Sequence, residues 1–305
     1  VDFFEFFTRE GNWIYANLIA VFISTFIVLL NQYFKIPGSV LVFWARVCTV
    51  ALMTPFMFII DWPENPIYYV AVFATAFFGA FADTRLFNVS SKYGGGVVSR
   101  TTPLAIFTTF VVWLFFEPEL IGKYISEPFR TAGIVLAMAG CVFFSMRIKK
   151  CEVSREALFA MLPVVLCYTV TGVLNKFSMS KGSHDGVVFC YMYLQSVGVI
   201  PIMAAYLYST NKNKFGKFNI NFLFNKYAVK VGLFFAILWI GSMTFKNTAM
   251  ITIPNPAYGT VLGQLSPVLI SVIYYFLKHK EEGDVKSGFG IVACALLMSL
   301  LVIHK

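Results

Sequence analysis

The sequence predicts an all-α integral membrane protein of ten transmembrane helices, arranged as two inverted five-helix repeats. Three observations carry that expectation: the composition, the lengths of the apolar runs, and a set of polar residues that recurs between the two halves. Hydrophobic residues make up 58% of the 305 and charged residues only 13%, with a mean hydropathy of +0.74. Soluble domains carry about 25% charged residues, so a chain this poor in charge reads as polytopic.

A helix needs about 20 apolar residues, rising 1.5 Å each, to cross a bilayer. Ten stretches meet that rule: 13–34, 40–60, 66–87, 96–116, 129–146, 157–178, 186–208, 226–250, 257–277 and 287–303. Ahead of the first, the aromatic-rich DFFEFFTRE lacks the basic start of a signal peptide and reads as an interfacial segment. The second span carries Arg46, and the third carries Asp83 and Arg85. The fourth opens with Ser99, Arg100, Thr101, Thr102 and Pro103 before an uninterrupted apolar run. GIVLAMAG fills the fifth from 133, and GVLNK closes the sixth at 172–176. Tyr191 and Gln195 lie in the seventh, Lys230 and Lys246 in the eighth. Gln264, Leu265, Ser266 and Pro267 give the ninth the design of the fourth, and GIVACALL begins near the start of the tenth. The longest connection is 209–225, so no soluble domain is expected between spans and function is expected within the membrane.

Residues 1–150 and 151–305 align as repeats. GVLNK matches VLLNQ at 28–32 and places Asn175 on Asn31; Phe87 matches Phe245, Pro103 matches Pro267, and GIVLAMAG resembles GIVACALL. An unrelated apolar sequence supplies leucines, but not the same Asn, Pro and Gly positions in order. Five spans per repeat is an odd number, so the second copy enters the membrane in the opposite sense. Inverted repeats are common in secondary transporters, with the substrate near the midplane where the halves meet. Channels and membrane enzymes also contain repeats.

Taken together, the two five-span repeats, the aromatic and Arg of the second span (Phe43 to Arg46), the Ser/Thr-Pro steps and the acidic residues after them (Glu117 and Glu119; Glu281 and Glu282) resemble the drug/metabolite transporter superfamily, EamA type. The resemblance covers nearly the whole chain. It implies a ten-helix basket in which spans other than five and ten line a central cavity, working by alternating access. It leaves the substrate open among amino acids, nucleotide derivatives, sugars, amines and drugs. GVLNK is also similar to the Leu-Asn-Lys step of nucleotide-sugar transporters.

Charge inside the spans narrows the substrate. Arg46, Arg85, Arg100, Lys176, Lys230 and Lys246 lie within or at the edges of spans, against one carboxylate, Asp83. Unpaired cations in low dielectric are costly, so the cavity is expected to receive an anionic or zwitterionic metabolite. The candidate substrate contacts are Arg46, Arg100, Asn175, Lys176, Tyr168, Gln195, Trp239 and Gln264. The candidate coupling or gate residues are Asp83, Arg85, Asn31 and Lys246. On the inverted topology Asn31, Arg46, Asp83, Arg85 and Arg100 fall toward one side, and Asn175, Lys176, Lys246 and Gln264 toward the other, as a pair of gates requires. Asp83 is expected to pair with Arg100 or Arg85; a proton carrier and a permanent salt bridge are both open roles for it. Lys230 reads as a snorkelling residue.

Other classes are disfavoured. The net charge of +9 comes mostly from Lys and Arg in short loops, where they read as topology signals rather than as a nucleic-acid footprint. The six cysteines show no CxxC spacing and read as packing thiols, and the three histidines fall in loops or at the end, so no metal and no other cofactor is expected. Gly94–Gly96 lacks the Lys-Ser/Thr of a phosphate loop, and neither HExxH nor GxSxG is present, so no enzyme is expected. The expected partners are a small-molecule substrate, the lipid bilayer, a coupling proton or exchanged solute, and a second copy of the chain as a homodimer, with no nucleic acid. The expected location is the cell (inner) membrane. Lys and Arg concentrate in the loops after odd-numbered spans, which puts the termini outside; the resemblance implies cytoplasmic termini. A drug or amine exporter is the alternative within the superfamily, and a passive channel is the rival mechanism.

Overall fold

A computed structural model describes residues 3–9, 11–34, 36–93, 101–148, 154–182, 186–215, 225–276 and 284–303. Among them there are helices and no strands: α1 (Phe3–Thr8), α2 (Trp13–Phe34), α3 (Gly38–Met53), α4 (Pro66–Tyr93), α5 (Ala105–Phe116), α6 (Glu119–Ser126), α7 (Pro128–Arg147), α8 (Arg155–Lys181), α9 (Val187–Phe215), α10 (Lys226–Thr252), α11 (Pro256–Gly263), α12 (Leu265–Phe276) and α13 (Val285–Ile303). Eight helical segments are long and apolar enough to cross a membrane, α11 and α12 together forming one of them, and a ninth is reached if a bent pair counts as one span. Among the described residues each of the ten expected stretches contains helix, but only eight or nine helical segments reach spanning length. The bounds agree most closely at Trp13–Phe34, Pro128–Arg147 and Val285–Ile303.

Departures from ten straight spans occur at prolines. The second stretch is helical only over Gly38–Met53, 16 residues, and after Thr54–Pro55 the chain continues as a single tight turn at Phe56–Phe58. Pro118 disfavours helix at Glu117, which sits at φ −132° and ψ 70°, and α5 and α6 meet at a bend of 115°. The short helix α6, absent from the sequence reading, is amphipathic: Leu120, Ile121, Tyr124 and Ile125 share one stripe. The ninth stretch divides at Gln264, between α11 and α12. Pro267 explains that break, because its ring clashes with the carbonyl four residues back and it brings no N–H to the ladder. α10 ends at Thr252, and Asn255 caps α11 by accepting a hydrogen bond from the Ala257 N–H, with Pro256 in the first helical position.

Small residues set the closest helix approaches. Where α7 meets α13, a Cβ on Gly140 would stand 2.6 Å from Cys294 Sγ, and one on Gly290 would enter the Phe144 ring at 2.5 Å. Gly232 similarly lets α10 press on the backbone of α3 at Trp44. Phe58, Phe115, Phe129 and Phe276 stand exposed on the outer surface, which is compatible with a multi-pass membrane protein. Phe7 of α1 is buried against Phe245, ring centroids 5.4 Å apart, so the aromatic start docks onto the bundle rather than only lying at its edge.

Aromatic and aliphatic side chains pack together toward one end of the bundle. Trp13, Tyr68, Ile106, Phe110, Tyr191, Ile253 and Tyr258 belong to one buried apolar cluster there. Polar bonds cross it. Trp113 Nε1 donates to the Pro254 carbonyl at 3.0 Å, Tyr68 Oη donates to the Val187 carbonyl at 2.9 Å, and the Tyr124 and Tyr258 hydroxyls lie 2.7 Å apart.

Candidate functional site

Between the helices lies a cavity of about 400 Å³. Its walls come from α2, α3, α4, α5, α8, α9, α10, α11 and α12 with the turn before α5; among the described residues α7 and α13, the fifth and tenth stretches, contribute nothing to it. Residues of both halves of the chain therefore meet around one space.

Among the described residues three charged side chains line it: Arg46 from α3, Asp83 from α4 and Lys246 from α10. The Arg46 guanidinium lies over the Trp239 indole, 3.8 Å from its centroid, an arrangement in which the ring's quadrupole replaces part of the lost hydration. Its Nη1 is buried with no hydrogen-bond partner among the described residues. Asp83 accepts a hydrogen bond from Tyr168 Oη at 3.2 Å, and the charges of Arg46 and Lys246 both act on it. Asn175 Nδ2 donates to Asn247 Oδ1 at 3.0 Å, which leaves the Asn175 Oδ1 and Asn247 Nδ2 buried and unpaired among the described residues. Gln195 Oε1 is in the same condition one turn from Tyr191. Buried polar atoms are normally paired, so this concentration of unpaired ones around a hollow is a binding signature.

Serine and threonine hold the walls together. Ser24 and Ser242 are 2.7 Å apart between α2 and α10, Thr25 donates to Ser266 at 2.9 Å, and the Thr108 and Thr169 hydroxyls join α5 to α8. Gln264 lines the cavity at the α11–α12 break and its Nε2 reaches the Thr260 carbonyl at 3.5 Å.

Of the residues expected at the site, Arg46, Asp83, Tyr168, Asn175, Gln195, Lys246 and Gln264 line this cavity. Trp239 stands behind Arg46 rather than on the wall. Lys176 is 8% exposed and donates from Nζ to the Ile251 carbonyl at 3.0 Å, in the last turn of α10. It follows Asn175 directly, and successive helical residues point about 100° apart, so one faces the cavity and the other the neighbouring helix end. Asn31, in the last turn of α2, is also off the wall, with Oδ1 buried and unpaired among the described residues. Arg85 is exposed, 5.5 Å above the Phe81 ring, and does not pair with Asp83. Two positions on a helix are about 200° apart, so these two side chains leave α4 on opposite faces. Arg100 lies outside the described residues.

Members of the two expected polar clusters meet in one cavity. Arg46 and Asp83 share one cavity with Asn175, Lys246 and Gln264. Arg46 sits about 12 Å along α3, and Lys246 about 9 Å from the end of α10, so both long side chains reach the middle of the bundle. The sequence reading also missed Gly79, Gly172, Gly259 and Gly263, which line the cavity without filling it. Their signal is helical spacing: Gly79 with Asp83, Tyr168 with Gly172 and Gly259 with Gly263 each stand one turn apart.

Among the described residues no group of three His, Cys, Asp or Glu could hold a metal ion, and the five described cysteines are unbridged. No family model matches the chain, and no curated protein matches it in sequence. In fold it is similar to a protein of known crystal structure, with a TM-score of 0.64 over 97% of this chain and 100% of that one, at 13% identity. A likeness at that identity concerns the fold alone.

Proposed function

We propose that this chain is a secondary active transporter of EamA type in the drug/metabolite transporter superfamily, with ten spans in two inverted repeats. Its substrate is a small polar metabolite, anionic or zwitterionic, carried across the cell membrane by alternating access. One observation carries the reading: Arg46, whose Nη1 is buried without a hydrogen-bond partner among the described residues, lines a hollow that Lys246 also lines, inside an apolar helical bundle. Charged groups inside such a bundle are expensive, and among the described residues two cations against one carboxylate leave a positive excess for a ligand to neutralise. The volume of about 400 Å³ suits a metabolite rather than a macromolecule. In this reading Arg46, Lys246, Asn175, Gln195 and Gln264 contact the substrate, Trp239 backs Arg46, and Tyr168 positions Asp83.

The test is counterflow in proteoliposomes with radiolabelled amino acids, carboxylates and sugar phosphates, repeated with Arg46→Gln, alongside thermal shifts of the purified protein. A ligand at 100 times its dissociation constant stabilises by about 2.7 kcal/mol, which is easily detected. Anionic or zwitterionic compounds should stabilise and exchange through the parent and not the variant. The second reading, an amine exporter, draws on Asp83 in the same cavity. Stabilisation by amines alone, equal in both proteins, would replace the first reading with it. Uptake that equilibrates without counterflow would make the protein a channel.

A further inference from the structure

The three charged residues that line the cavity among the described residues play unequal parts. Arg46 and Lys246 bring positive charge; Asp83 opposes them from α4, held by the Tyr168 hydroxyl at 3.2 Å. Among the described residues no ion pair fixes Asp83 to either cation, though both act on it electrostatically. An acid closed onto one of them would remove both from the ligand's reach. An acid kept at a stand-off cancels one unit of charge and leaves both cations available.

We infer that Asp83 is the specificity-determining residue for cargo valence: it sets the net charge of the solute the cavity accepts. The inference rests on the transporter reading above and adds the selection rule to it. With Arg46, Lys246 and Asp83 all charged, these residues present one net positive charge, which a monoanion neutralises. A dianion leaves excess negative charge, and a solute of no net charge leaves the positive charge unanswered. Inside an apolar helical bundle such a mismatch costs more than in solution, so charge weighs heavily in ranking solutes of equal size. Arginine stays protonated throughout, which fixes half of this balance. The unpaired Gln195 Oε1 and Asn175 Oδ1 accept hydrogen bonds and so suit the uncharged donor end of the same solute.

Three four-carbon probes of similar size separate the cases: succinate carries two negative charges, succinamate one, and 4-aminobutanoate is a zwitterion. Each competes for counterflow in proteoliposomes containing the parent, Asp83→Asn, Asp83→Glu or Lys246→Gln. The parent should prefer succinamate. Asp83→Asn removes one negative charge and should shift the succinate-to-succinamate ratio about tenfold toward succinate. Lys246→Gln should shift preference in the opposite direction, toward 4-aminobutanoate. Asp83→Glu, which keeps the charge, should keep the parent's order. If the parent exchanges these probes and Asp83→Asn leaves their order unchanged, Asp83 does not set valence, while the transporter reading stands. If the parent neither exchanges nor is stabilised by any of them, both readings fall. Should Asp83→Asn not fold, the Lys246→Gln shift decides the matter alone.

Discussion

Replacing a glycine by alanine should have opposite effects at two places in this bundle. Gly79 lies inside α4, and a Cβ there meets only Thr171 Cγ2, at 3.9 Å, an ordinary contact. Nothing opposes the gain in helix propensity, about 0.8–1.0 kcal/mol for Gly to Ala, so Gly79→Ala should stabilise by about 0.5–1 kcal/mol. Gly232 lies inside α10, but its Cβ would stand 2.5 Å from Trp44 Cβ and 3.1 Å from the Trp44 carbonyl carbon. Those atoms belong to the body of α3 and cannot swing aside. Overpacking of this kind costs about 1–3 kcal/mol, which exceeds the propensity gain, so Gly232→Ala should destabilise by about 1–2 kcal/mol. Thermal unfolding in one detergent measures both, with shifts on the order of 2–4 °C per kcal/mol. A larger side chain separates stability from function: Gly79→Leu projects beside Asp83, one turn away, and should abolish uptake while the protein stays folded. If Gly79→Ala and Gly232→Ala move the melting temperature in the same direction, the distinction between open wall and packed interface is wrong.

Lys176→Met keeps the apolar stem and removes the hydrogen bond to the Ile251 carbonyl, a charged donor at a helix C-terminus. A loss of about 1.5–3 kcal/mol in stability is expected, with the order of substrate preference unchanged; lost binding at unchanged melting temperature would instead make Lys176 a ligand contact. Asp284, just ahead of α13, accepts a hydrogen bond from Ser287 Oγ, which holds its carboxyl below the usual range. Because its folded pKa is depressed, its contribution is complete above the unfolded value, near pH 4, and disappears as pH falls through the folded one. Asp284→Asn should therefore flatten the acid limb of a melting-temperature profile and leave values above about pH 5 parallel to the parent's.

Most of the helical plan was legible because the bilayer imposes a length and proline imposes an interruption. Trp13–Phe34 and Val285–Ile303 follow from apolar run length alone, and the divided ninth stretch follows from Pro267. Helix α6 was hidden for the complementary reason: eight residues with charges at Glu119 and Lys123 do not register as a span, and only the turn at Pro118 gives it a separate direction. In the cavity, residue type was readable and direction was not. Arg46 and Asp83 stand out as charges in apolar runs, whereas nothing in the letters Asn175–Lys176 tells which of the two looks inward. The failure of Asp83 to meet Arg85 was readable, since helical angles put them on opposite faces. The lining glycines escaped because a search for chemistry looks for functional groups, and their contribution is space.

The connection between α10 and α11 carries a consequence for water. Two prolines, Pro254 and Pro256, interrupt the helical ladder there, and the carbonyls of Ile251 and Pro254 are instead satisfied by Lys176 and Trp113, donors from other helices. Movement of α5 away from this connection strips the Pro254 oxygen of its donor and movement of α8 strips that of Ile251, a cost of about 1–3 kcal/mol for each in an apolar setting. Only a new donor cancels that cost, and the solvent is the available one. A dry separation of the helices at this end is therefore less stable than one in which water replaces the lost donors.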